Sequence, residues 1–583
     1  MRDAAPQTIY LKDYTPYDFD VEKVELTFHL HPTATRVQSK IAFVPKNGAR
    51  KFFLHGENLV LRSASIDGVP VTPDLKSDGL TCQVPDRPFV WEAEVEIDPE
   101  KNTALEGLYM SNGMYCTQCE AEGFRKITYY PDRPDVMSVF TVRIHGEAPV
   151  LLSNGNPISQ SDGFAEWHDP WPKPAYLFAL VAGELVAHED QFVTRSGRDV
   201  ALNLYVRPGD EGKCAFGMQA LKASMRWDED VYGREYDLDV FNIVAVDDFN
   251  MGAMENKGLN IFNSSAVLAS PETSTDVNFE RIEAIIAHEY FHNWTGNRIT
   301  CRDWFQLCLK EGLTVYRDSQ FTSDMRSAAE KRISDVIDLR ARQFPEDQGP
   351  LSHPVRPESF QEINNFYTAT VYEKGAEVIG MLRCLVGADA YSKALDLYFD
   401  RHDGQACTIE DWIRVFEDVT GRDLSQFKLW YSQAGTPKLT VEESWSSGTY
   451  TLTFAQNLQP SQTTPDPQPQ VIPIVIGLLS PDGAEVVGDS VLELTDATQS
   501  FIFEGLAKRP IPSLLRRFSA PVVLQTAFDY APFLLGNDTD PFNRWEAGRS
   551  LSKASILSMI TDGAAPDPAY LDGLGKLLTD ATL

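Results

Sequence analysis

The amino-acid sequence predicts a multidomain chain of mixed α+β structure. Its 583 residues correspond to about four domains at a typical ~150 residues each. Apolar residues alternate with polar ones near the start and again after residue 436, which indicates strands, and they recur with helical spacing between these regions. These changes predict an N-terminal antiparallel β domain at 1–185, a mixed α+β domain at 186–435, a small β-sandwich at 436–528 and the start of a helical domain at 529–583.

Two kinds of sequence pattern predict strands in the first half of the chain. Segments 25–30 and 140–145 alternate apolar and polar residues, as half-buried strands do. Segment 200–206 alternates in the same way. Segment 240–246, with the sequence VFNIVAV, is almost continuously apolar. We therefore expect strands in both of the first two domains.

Helical and strand patterns also mark the rest of the chain. Strands are predicted at 439–442 and 450–454, and the Pro-rich stretch 460–469 is predicted to be an exposed hairpin connection. Pro541 is suited to the first position of a helix. Before these segments, Asp276 is the predicted N-cap of a further helix. The apolar residues that predict this helix are Phe279, Ile282, Ile285, Ile286 and Tyr290.

Charge and composition exclude several classes of protein. Lys and Arg number 52 against 84 Asp and Glu, a net charge of −32, which argues against binding to nucleic acid or to an anionic membrane. The apolar stretch 471–479 is far shorter than the ~20 residues that span a bilayer. The N-terminus has no apolar signal segment, so the eight cysteines are expected to be reduced thiols in a cytoplasmic protein.

The segment His288-Glu-Tyr-Phe-His292 is an HExxH motif. On a helix, residues four apart lie on one face, so His288 and His292 can reach one metal ion. Glu289 lies one step round the helix, close enough to take a proton from water at the metal. By itself, the motif also fits a helix with two unrelated surface histidines.

Glu311 strengthens the interpretation as a metal site. It follows His292 after 18 residues, on a second predicted helix that can fold back through a turn at Gly296 and Asn297. Two histidines and one glutamate leave a fourth position for water, which is the pattern of catalytic zinc sites. Asp318 lies two turns further on the same face. It either orients a ligand histidine or is an ordinary solvated aspartate.

A second motif, Gly252-Ala253-Met254-Glu255-Asn256, follows the predicted strand at 240–246. One interpretation is a turn that leads out of a sheet. The other is an exposed strand edge that pairs with a peptide backbone, with Glu255 as an anchor for a substrate ammonium. The motif alone favours neither.

Together, these motifs resemble those of the zinc aminopeptidases of the gluzincin type. The resemblance rests on GAMEN at 252–256, HEYFH at 288–292 and the 18-residue gap to Glu311. It also rests on TQCEAEG at 117–123 and on YTATVYEKG at 367–375. It extends over essentially the whole chain, and the two main motifs in this order are highly specific. The resemblance implies a thermolysin-like fold for the second domain.

The resemblance also implies roles for single residues and a mechanism. One zinc ion would activate water, Glu289 would be the general base, and Tyr372 would stabilise the oxyanion. Glu120 and Glu255 would hold the free α-amine of a peptide, with Gln118 beside them. The remaining implied roles are zinc ligands at His288, His292 and Glu311, backbone contacts at Gly252 and Ala253, further substrate contacts at Met254 and Asn256, and pocket walls at Met251 and Tyr367.

The expected function is the release of single N-terminal residues from peptides and aminoacyl amides, with broad specificity, by a monomer. A zinc endopeptidase would share the metal ligands but would not need the paired carboxylates. An epoxide hydrolase of the related kind would have an uncharged residue in place of Glu120 and an altered GAMEN. A non-catalytic peptide-binding protein would have lost Glu289 or a ligand, and none is lost.

The C-terminal region predicts an incomplete helical domain. The family that the chain resembles has a much larger helical domain after the β-sandwich. Phe542, Trp545, Leu551 and Leu557 form an apolar set that two short helices are expected to cover poorly. We therefore expect a truncated chain with an open site and a tendency to associate.

Overall fold

A computed structural model describes residues 7–46 and 51–579. The chain forms two compact units. The first contains the chain up to residue 310, together with 358–365 and 396–412. The second contains residues 311–357, 366–395 and 413–583.

The N-terminal region is built on an eight-stranded sheet, as the alternating patterns predict. Its neighbouring strands are antiparallel except Ser138–His145 and Phe19–His29, which run parallel. The predicted antiparallel β domain is therefore present with one parallel pair, because strands so distant in sequence are not constrained by a hairpin turn. In spatial order the strands are Asn156–Ser161, Phe164–Lys173, Ser138–His145, Phe19–His29, Thr35–Pro45, Phe89–Ile97, Val60–Ile66 and Val69–Pro70.

Smaller sheets complete this region. The four-stranded sheet contains Met114–Gln118, whose end leads directly to Glu120. Its strands, in order, are Gly107–Ser111, Met114–Gln118, Leu180–Gly183 and Val150–Ser153. The others are a three-stranded sheet of Phe52–His55, Gly79–Cys82 and Asp74–Lys76, and two pairs, Ile9–Tyr10 with Ser359–Phe360 and Thr300–Cys301 with Ala406–Cys407.

A five-stranded sheet places the GAMEN motif. The predicted strands at 200–206 and 240–246 are both present. Ala253–Met254 pairs antiparallel with Leu259–Asn263 and is the last strand of this sheet. The motif therefore lies at a sheet edge, and its pairing with a peptide backbone stays a prediction. The spatial order is Val186–Val193, Asp199–Val206, Val240–Val246, Leu259–Asn263 and Ala253–Met254.

The helix that contains the HExxH motif is Asp276–Phe291, which we call the HExxH helix. Its N-cap is Thr275, not Asp276 as predicted. Thr275 and Asn278 exchange hydrogen bonds between side chain and backbone, with the Asn278 amide oxygen accepting from the Thr275 backbone N–H at 2.9 Å. This reciprocal cap satisfies two free donors at the helix start, so the cap falls one residue earlier.

The remaining helices of the catalytic region lie on both sides of this one in sequence. Cys308–Met325, which we call the Glu311 helix, crosses from the first unit into the second. The others are Ala215–Trp227, Ala328–Asp338, Phe344–Gln348, Gly375–Val386, Ala388–His402, Ile409–Thr420 and Leu429–Ser432, with wide turns of π-helix at Asp228–Tyr232, Leu339–Gln343 and Thr370–Lys374. Tight turns of 3-10 helix occur in several regions of the chain, at Leu11–Asp13, Phe124–Lys126, Ala175–Leu177, Glu211–Lys213, Ser264–Ala266, Trp304–Gln306, Ile363–Phe366 and Arg516–Phe518.

The predicted β-sandwich is present in the second unit. The Pro-rich stretch joins Thr449–Asn457 to Ile472–Leu479, which lie in different sheets, so it is a crossover and not the predicted hairpin connection. Local composition indicates a loop but cannot tell which sheet the next strand joins. One sheet contains Thr498–Phe503, Thr449–Asn457, Lys438–Ser446 and Val523–Thr526, and the other Glu485–Leu494, Ile472–Leu479 and Ile511–Leu514.

The C-terminal helices are Ala531–Asn537, Pro541–Asp562 and Pro568–Thr579. Pro541 takes the first helical position, as predicted. Phe542 and Trp545 pack with residues of the preceding helices, and Leu551 is 6% exposed. The expected poor coverage is therefore wrong for these three and holds for Leu557, which is 50% exposed. Among the described helices, none combines the length and the apolar character that a membrane span requires.

We expect the protein to lose stability in acid because of the buried imidazole of His55, at the end of strand Phe52–His55. Its Nδ1 accepts a hydrogen bond from the Asp132 backbone N–H at 3.1 Å. Burial, assisted by the positive charges of Arg125 and Arg133, lowers the pKa of His55 to about 3. An unfolded histidine titrates near ~6.5, so between this value and the folded pKa the unfolded chain binds one more proton than the folded chain. The free energy of unfolding should therefore decrease by up to ~1.4 kcal/mol for each unit by which the pH is lowered.

Urea unfolding between pH 7 and 4, with a chelator present throughout, measures this slope. We expect His55→Gln to flatten the pH dependence. His31→Gln, which changes an exposed histidine, should retain the wild-type slope. Identical slopes for all three proteins would contradict the assignment.

Candidate metal and amine site

The HExxH helix brings two imidazoles together. Nε2 of His288 and Nε2 of His292 are 3.0 Å apart. His292 is buried and His288 is half-buried. Two nitrogens bound at ~2.05 Å to one tetrahedral metal ion would be about 3.3 Å apart, close to this separation. The pair is therefore spaced for a shared metal ion.

The turn after the helix orients His292. Nδ1 of His292 lies 2.9 Å from the carbonyl oxygen of Thr295. Because a carbonyl only accepts, Nδ1 carries the proton in this contact, which makes Nε2, the nitrogen that faces His288, the candidate metal ligand. The Thr295 hydroxyl donates to the Phe291 carbonyl at 3.1 Å, which holds the turn to the helix end.

Glu311 completes a ligand set of two nitrogens and one oxygen. It follows Lys310 in the first turn of the Glu311 helix, so the helix that positions Lys310 also positions Glu311. One ligand atom from each of His288, His292 and Glu311 lies within 4.8 Å of the others. This donor chemistry fits a catalytic metal ion.

A pair of buried carboxylates lies beside this set. Lys310 Nζ is 2.7 Å from Glu120 and 2.8 Å from Glu255, and all three side chains are almost fully buried. Ligand atoms of Glu255, Glu289 and His292 also lie within 4.8 Å of one another. We call Glu120, Glu255 and Lys310 the amine anchor. With two negative charges and one positive charge, it has a net charge of −1.

Neighbouring groups support the amine anchor. The Gln118 amide nitrogen donates to the Glu120 carbonyl oxygen at 3.3 Å and lies 3.7 Å from Met254 Sδ. The Asn297 amide nitrogen donates to the Glu255 carbonyl oxygen at 2.9 Å. The turn that follows the HExxH helix thus also holds the backbone that carries Glu255.

The rest of the GAMEN motif divides into exposed and buried parts. Gly252 is exposed, and its carbonyl accepts a hydrogen bond from the Asn263 backbone N–H at 2.9 Å. Met251 and Ala253 are half-buried. Asn256 is fully buried, and its amide nitrogen is 3.4 Å from the Phe178 carbonyl oxygen. Asn256 therefore contacts the scaffold, while its contact with substrate stays a prediction.

Besides Glu311, three further predicted residues lie in the second unit. The rings of Tyr367 and Tyr372 are 6.4 Å apart between centroids, and both residues are half-buried. Asp318 is also half-buried, on the Glu311 helix. The roles of these three residues stay predictions.

Sequence reasoning missed Lys310 and Asn297. A lysine inside the apolar turn CLKEGL is a visible signal, since buried lysines are rare without a partner. The sequence indicates Asn297 only as part of a turn. Its hydrogen bond to Glu255 depends on the tertiary fold, and no local pattern indicates it.

Gly296→Ala should weaken metal binding. Gly296 has φ +150°, and a Cβ there would lie 2.8 Å from Nδ1 of His292. The ring would have to move, which breaks its contact with the Thr295 carbonyl. Loss of such an orienting contact costs ~10–100-fold in metal affinity.

Competition with a chelating dye measures this change. Gly233→Ala is the matched control, since Gly233 also has a positive φ, +65°, but has nothing within 4 Å of its Cβ position. Equal metal affinity for the two variants would contradict the expected role of Gly296.

The fold and this site define a metallopeptidase: a mixed sheet with an HExxH helix, a candidate third ligand on the Glu311 helix, and a buried pair of carboxylates bridged by a lysine. The chain matches the peptidase family M1 domain over residues 216–431 and the peptidase M1 N-terminal domain over 16–177. Two domains of unknown function also match, one with an Ig-like fold at 435–527 and one with ARM repeats at 529–583.

Relatives agree with these matches. Aminopeptidase N of Caulobacter vibrioides is 54% identical over 100% of this chain and 69% of its own length. Aminopeptidase N of Escherichia coli is 48% identical over 94% of this chain and 65% of its own length. The crystal structure of Legionella pneumophila aminopeptidase A in complex with aspartic acid has a TM-score of 0.89 at 33% identity, covering 99% of this chain and 68% of that one.

This chain belongs to peptidase family M1, whose members are metal-dependent hydrolases of peptide bonds. The predicted family and the predicted fold class are thereby confirmed. The chain spans about two thirds of the length of these relatives, between 65% and 69%.

Proposed function

We propose that this protein is a zinc aminopeptidase that releases single N-terminal residues from peptides and aminoacyl amides with broad specificity. The observation that carries the proposal is the amine anchor beside the base: ligand atoms of Glu255, Glu289 and His292 lie within 4.8 Å of one another. In a peptide, the α-nitrogen is only about 2.5 Å from the carbonyl carbon of the same residue. Binding the amine at Glu255 therefore presents the first peptide bond to Glu289.

The charge of the amine anchor matches the substrate. A terminal ammonium has a single positive charge, and the anchor has a net charge of −1 in a buried setting. Lys310 keeps two neighbouring carboxylates from repelling each other, so both can accept hydrogen bonds from the ammonium. An N-acetylated peptide has no such charge and would leave the anchor unpaired.

Two side chains of this chain, those of Glu289 and Tyr372, act directly in the proposed reaction. Glu289 accepts a proton from the attacking water and passes it to the leaving amine. The Tyr372 hydroxyl donates a hydrogen bond to the oxygen of the former carbonyl as negative charge develops there. His288, His292 and Glu311 would hold a zinc ion, which when bound would supply Lewis-acid polarisation and a water of lowered pKa.

A panel of aminoacyl amides, with and without N-acetylation, tests this function before and after chelation. We expect hydrolysis of the free amines only, its loss on chelation, and its recovery when zinc is restored. Rapid cleavage of acetylated peptides would identify the endopeptidase instead. Binding of peptides without any turnover by the zinc-loaded protein would identify the peptide-binding alternative.

The proposal includes a cytoplasmic, monomeric enzyme. The low cysteine content, eight in 583 residues, supports this location. Cell fractionation and light scattering measure the two properties directly.

A further inference from the structure

Tyr372 lies in a short segment of unusual helical geometry. Residues Thr370–Lys374 form a single π-helical turn that continues into the helix Gly375–Val386. The Tyr372 backbone N–H donates to the Thr368 carbonyl at 3.1 Å. Such wide turns are strained relative to an α-helix and occur often at functional sites. The segment therefore needs contacts that hold it in place.

Lys374 ends this turn and is buried in a polar cage. Its Nζ lies 2.8 Å from Asp347 Oδ2 and 2.8 Å from the carbonyl oxygen of Gly435. The Lys374 side chain is 1% exposed and that of Asp347 is 0% exposed. Burial by itself would raise the pKa of Asp347. The charge of Lys374 and the hydrogen bonds to Asp347 outweigh this effect and hold the pKa of Asp347 below its usual range.

The same aspartate holds the start of the β-sandwich. The Thr436 hydroxyl donates to Asp347 Oδ2 at 2.9 Å, and the Gly435 backbone N–H lies 3.3 Å from Asp347 Oδ1. Strand Lys438–Ser446 begins two residues later. The ion pair thus links the turn that carries Tyr372 to the first residues of the sandwich.

Asp347 lies in the short helix Phe344–Gln348. This helix and the residue before it, Gln343, also hold the other end of the turn. The Thr370 backbone N–H donates to the Glu346 carboxylate at 3.2 Å, and the Gln343 amide nitrogen is 3.3 Å from the Thr370 hydroxyl. Lys374 and Tyr372 are two residues apart, so their side chains leave the helix in different directions. Lys374 therefore acts on the backbone of the turn and not on the substrate.

We propose that Lys374, through its buried bridge to Asp347 and to the Gly435 carbonyl, is a positioning residue that aligns the Tyr372 hydroxyl, and that the β-sandwich thereby contributes to catalysis. This inference rests on the proposed function, in which Tyr372 stabilises the oxyanion. A misplacement of a reacting group by about 1 Å can cost ~100-fold in rate. Lys374→Met, which keeps the length of the side chain but removes its charge, is the direct variant.

The test measures kcat and KM on alanine p-nitroanilide for Lys374→Met in the wild-type and Tyr372→Phe backgrounds, with zinc content checked. In the wild-type background we expect kcat to fall by roughly 10–100-fold with KM changed less than about threefold. In the Tyr372→Phe background we expect less than about a twofold further loss, because no hydroxyl remains to be aligned. Lys374→Arg should recover part of the lost kcat.

Arg422→Met is the control for loss of sandwich contacts in general. Arg422 pairs with Glu493 of the sandwich and donates to the Leu385 carbonyl, away from the Tyr372 turn in sequence. The Arg422→Met substitution should lower thermal stability while kcat stays within about twofold of the wild-type value. If Lys374→Met does not fold, Asp347→Asn, which keeps the size of the side chain, is measured in the same two backgrounds.

Equal losses of kcat in both backgrounds, or no loss in either, would overturn the positioning role. A Tyr372→Phe protein with full zinc and wild-type kcat would instead refute the proposed role of Tyr372, and the positioning role with it. A Tyr372→Phe protein of low activity combined with a fully active Lys374→Met protein would refute the positioning role alone.

Discussion

Glu289→Gln is expected to keep the metal ion and to lower kcat by about 10²–10⁴-fold, the range that a general acid–base group contributes. Glutamine has nearly the same shape as glutamate but cannot accept the proton of the attacking water. His288 and His292 remain in place, so metal content should stay near one ion per chain. Metal analysis and steady-state kinetics on alanine p-nitroanilide measure both properties on the same sample.

Two further variants sharpen this experiment. Glu280→Gln makes the same change at an exposed position of the HExxH helix and should be fully active. His292→Ala should lose both metal and activity, because it removes a ligand. Wild-type turnover by Glu289→Gln would show that another group is the base.

Glu255→Gln should weaken the use of free-amine substrates by about 3 kcal/mol, or roughly 100-fold in kcat/KM, the scale of a buried charge left without its partner. In the wild-type protein the amine anchor has a net charge of −1. The substitution removes one negative charge, so Lys310 and Glu120 formally neutralise each other and the ammonium loses the unpaired charge of the amine anchor. Inhibition by alanine amide, compared with its N-acetylated form, measures this directly.

Asp247→Asn is the matched control for the amine anchor. Asp247 follows the strand Val240–Val246 of the same sheet but pairs with Arg207 at a partly exposed position. It should leave inhibition by alanine amide unchanged. If Glu255→Gln binds alanine amide as tightly as the wild-type protein does, the carboxylate pair is not the amine site.

Several features of this protein follow from the sequence because they depend on residues close together in the chain. The HExxH spacing places His288 and His292 on one helical face, where their nitrogens lie 3.0 Å apart. Pro541 begins a helix, since its ring already has the backbone angle that the first turn needs. The alternating segment 200–206 is a strand for the same local reason.

The roles of Glu120 and Tyr372 were available from the sequence only through the resemblance to a known family. Neither residue has a local pattern that distinguishes it from other carboxylates and tyrosines. Glu120 becomes distinctive in the fold, where Lys310 bridges it to Glu255. Long-range contacts of this kind leave no periodic signal in the chain.

The sequence by itself determined the fold class, the helix that carries His288 and His292, and the strand that precedes the GAMEN motif. Only the tertiary structure decided that strands Phe19–His29 and Ser138–His145 are parallel, that the Pro-rich stretch crosses between sheets, and that Lys310 gives the amine anchor a net charge of −1. The physical reason is one of range. Helical periodicity and capping act over a few residues, whereas strand partners and buried ion pairs are selected by the packing of segments that can lie far apart in the chain.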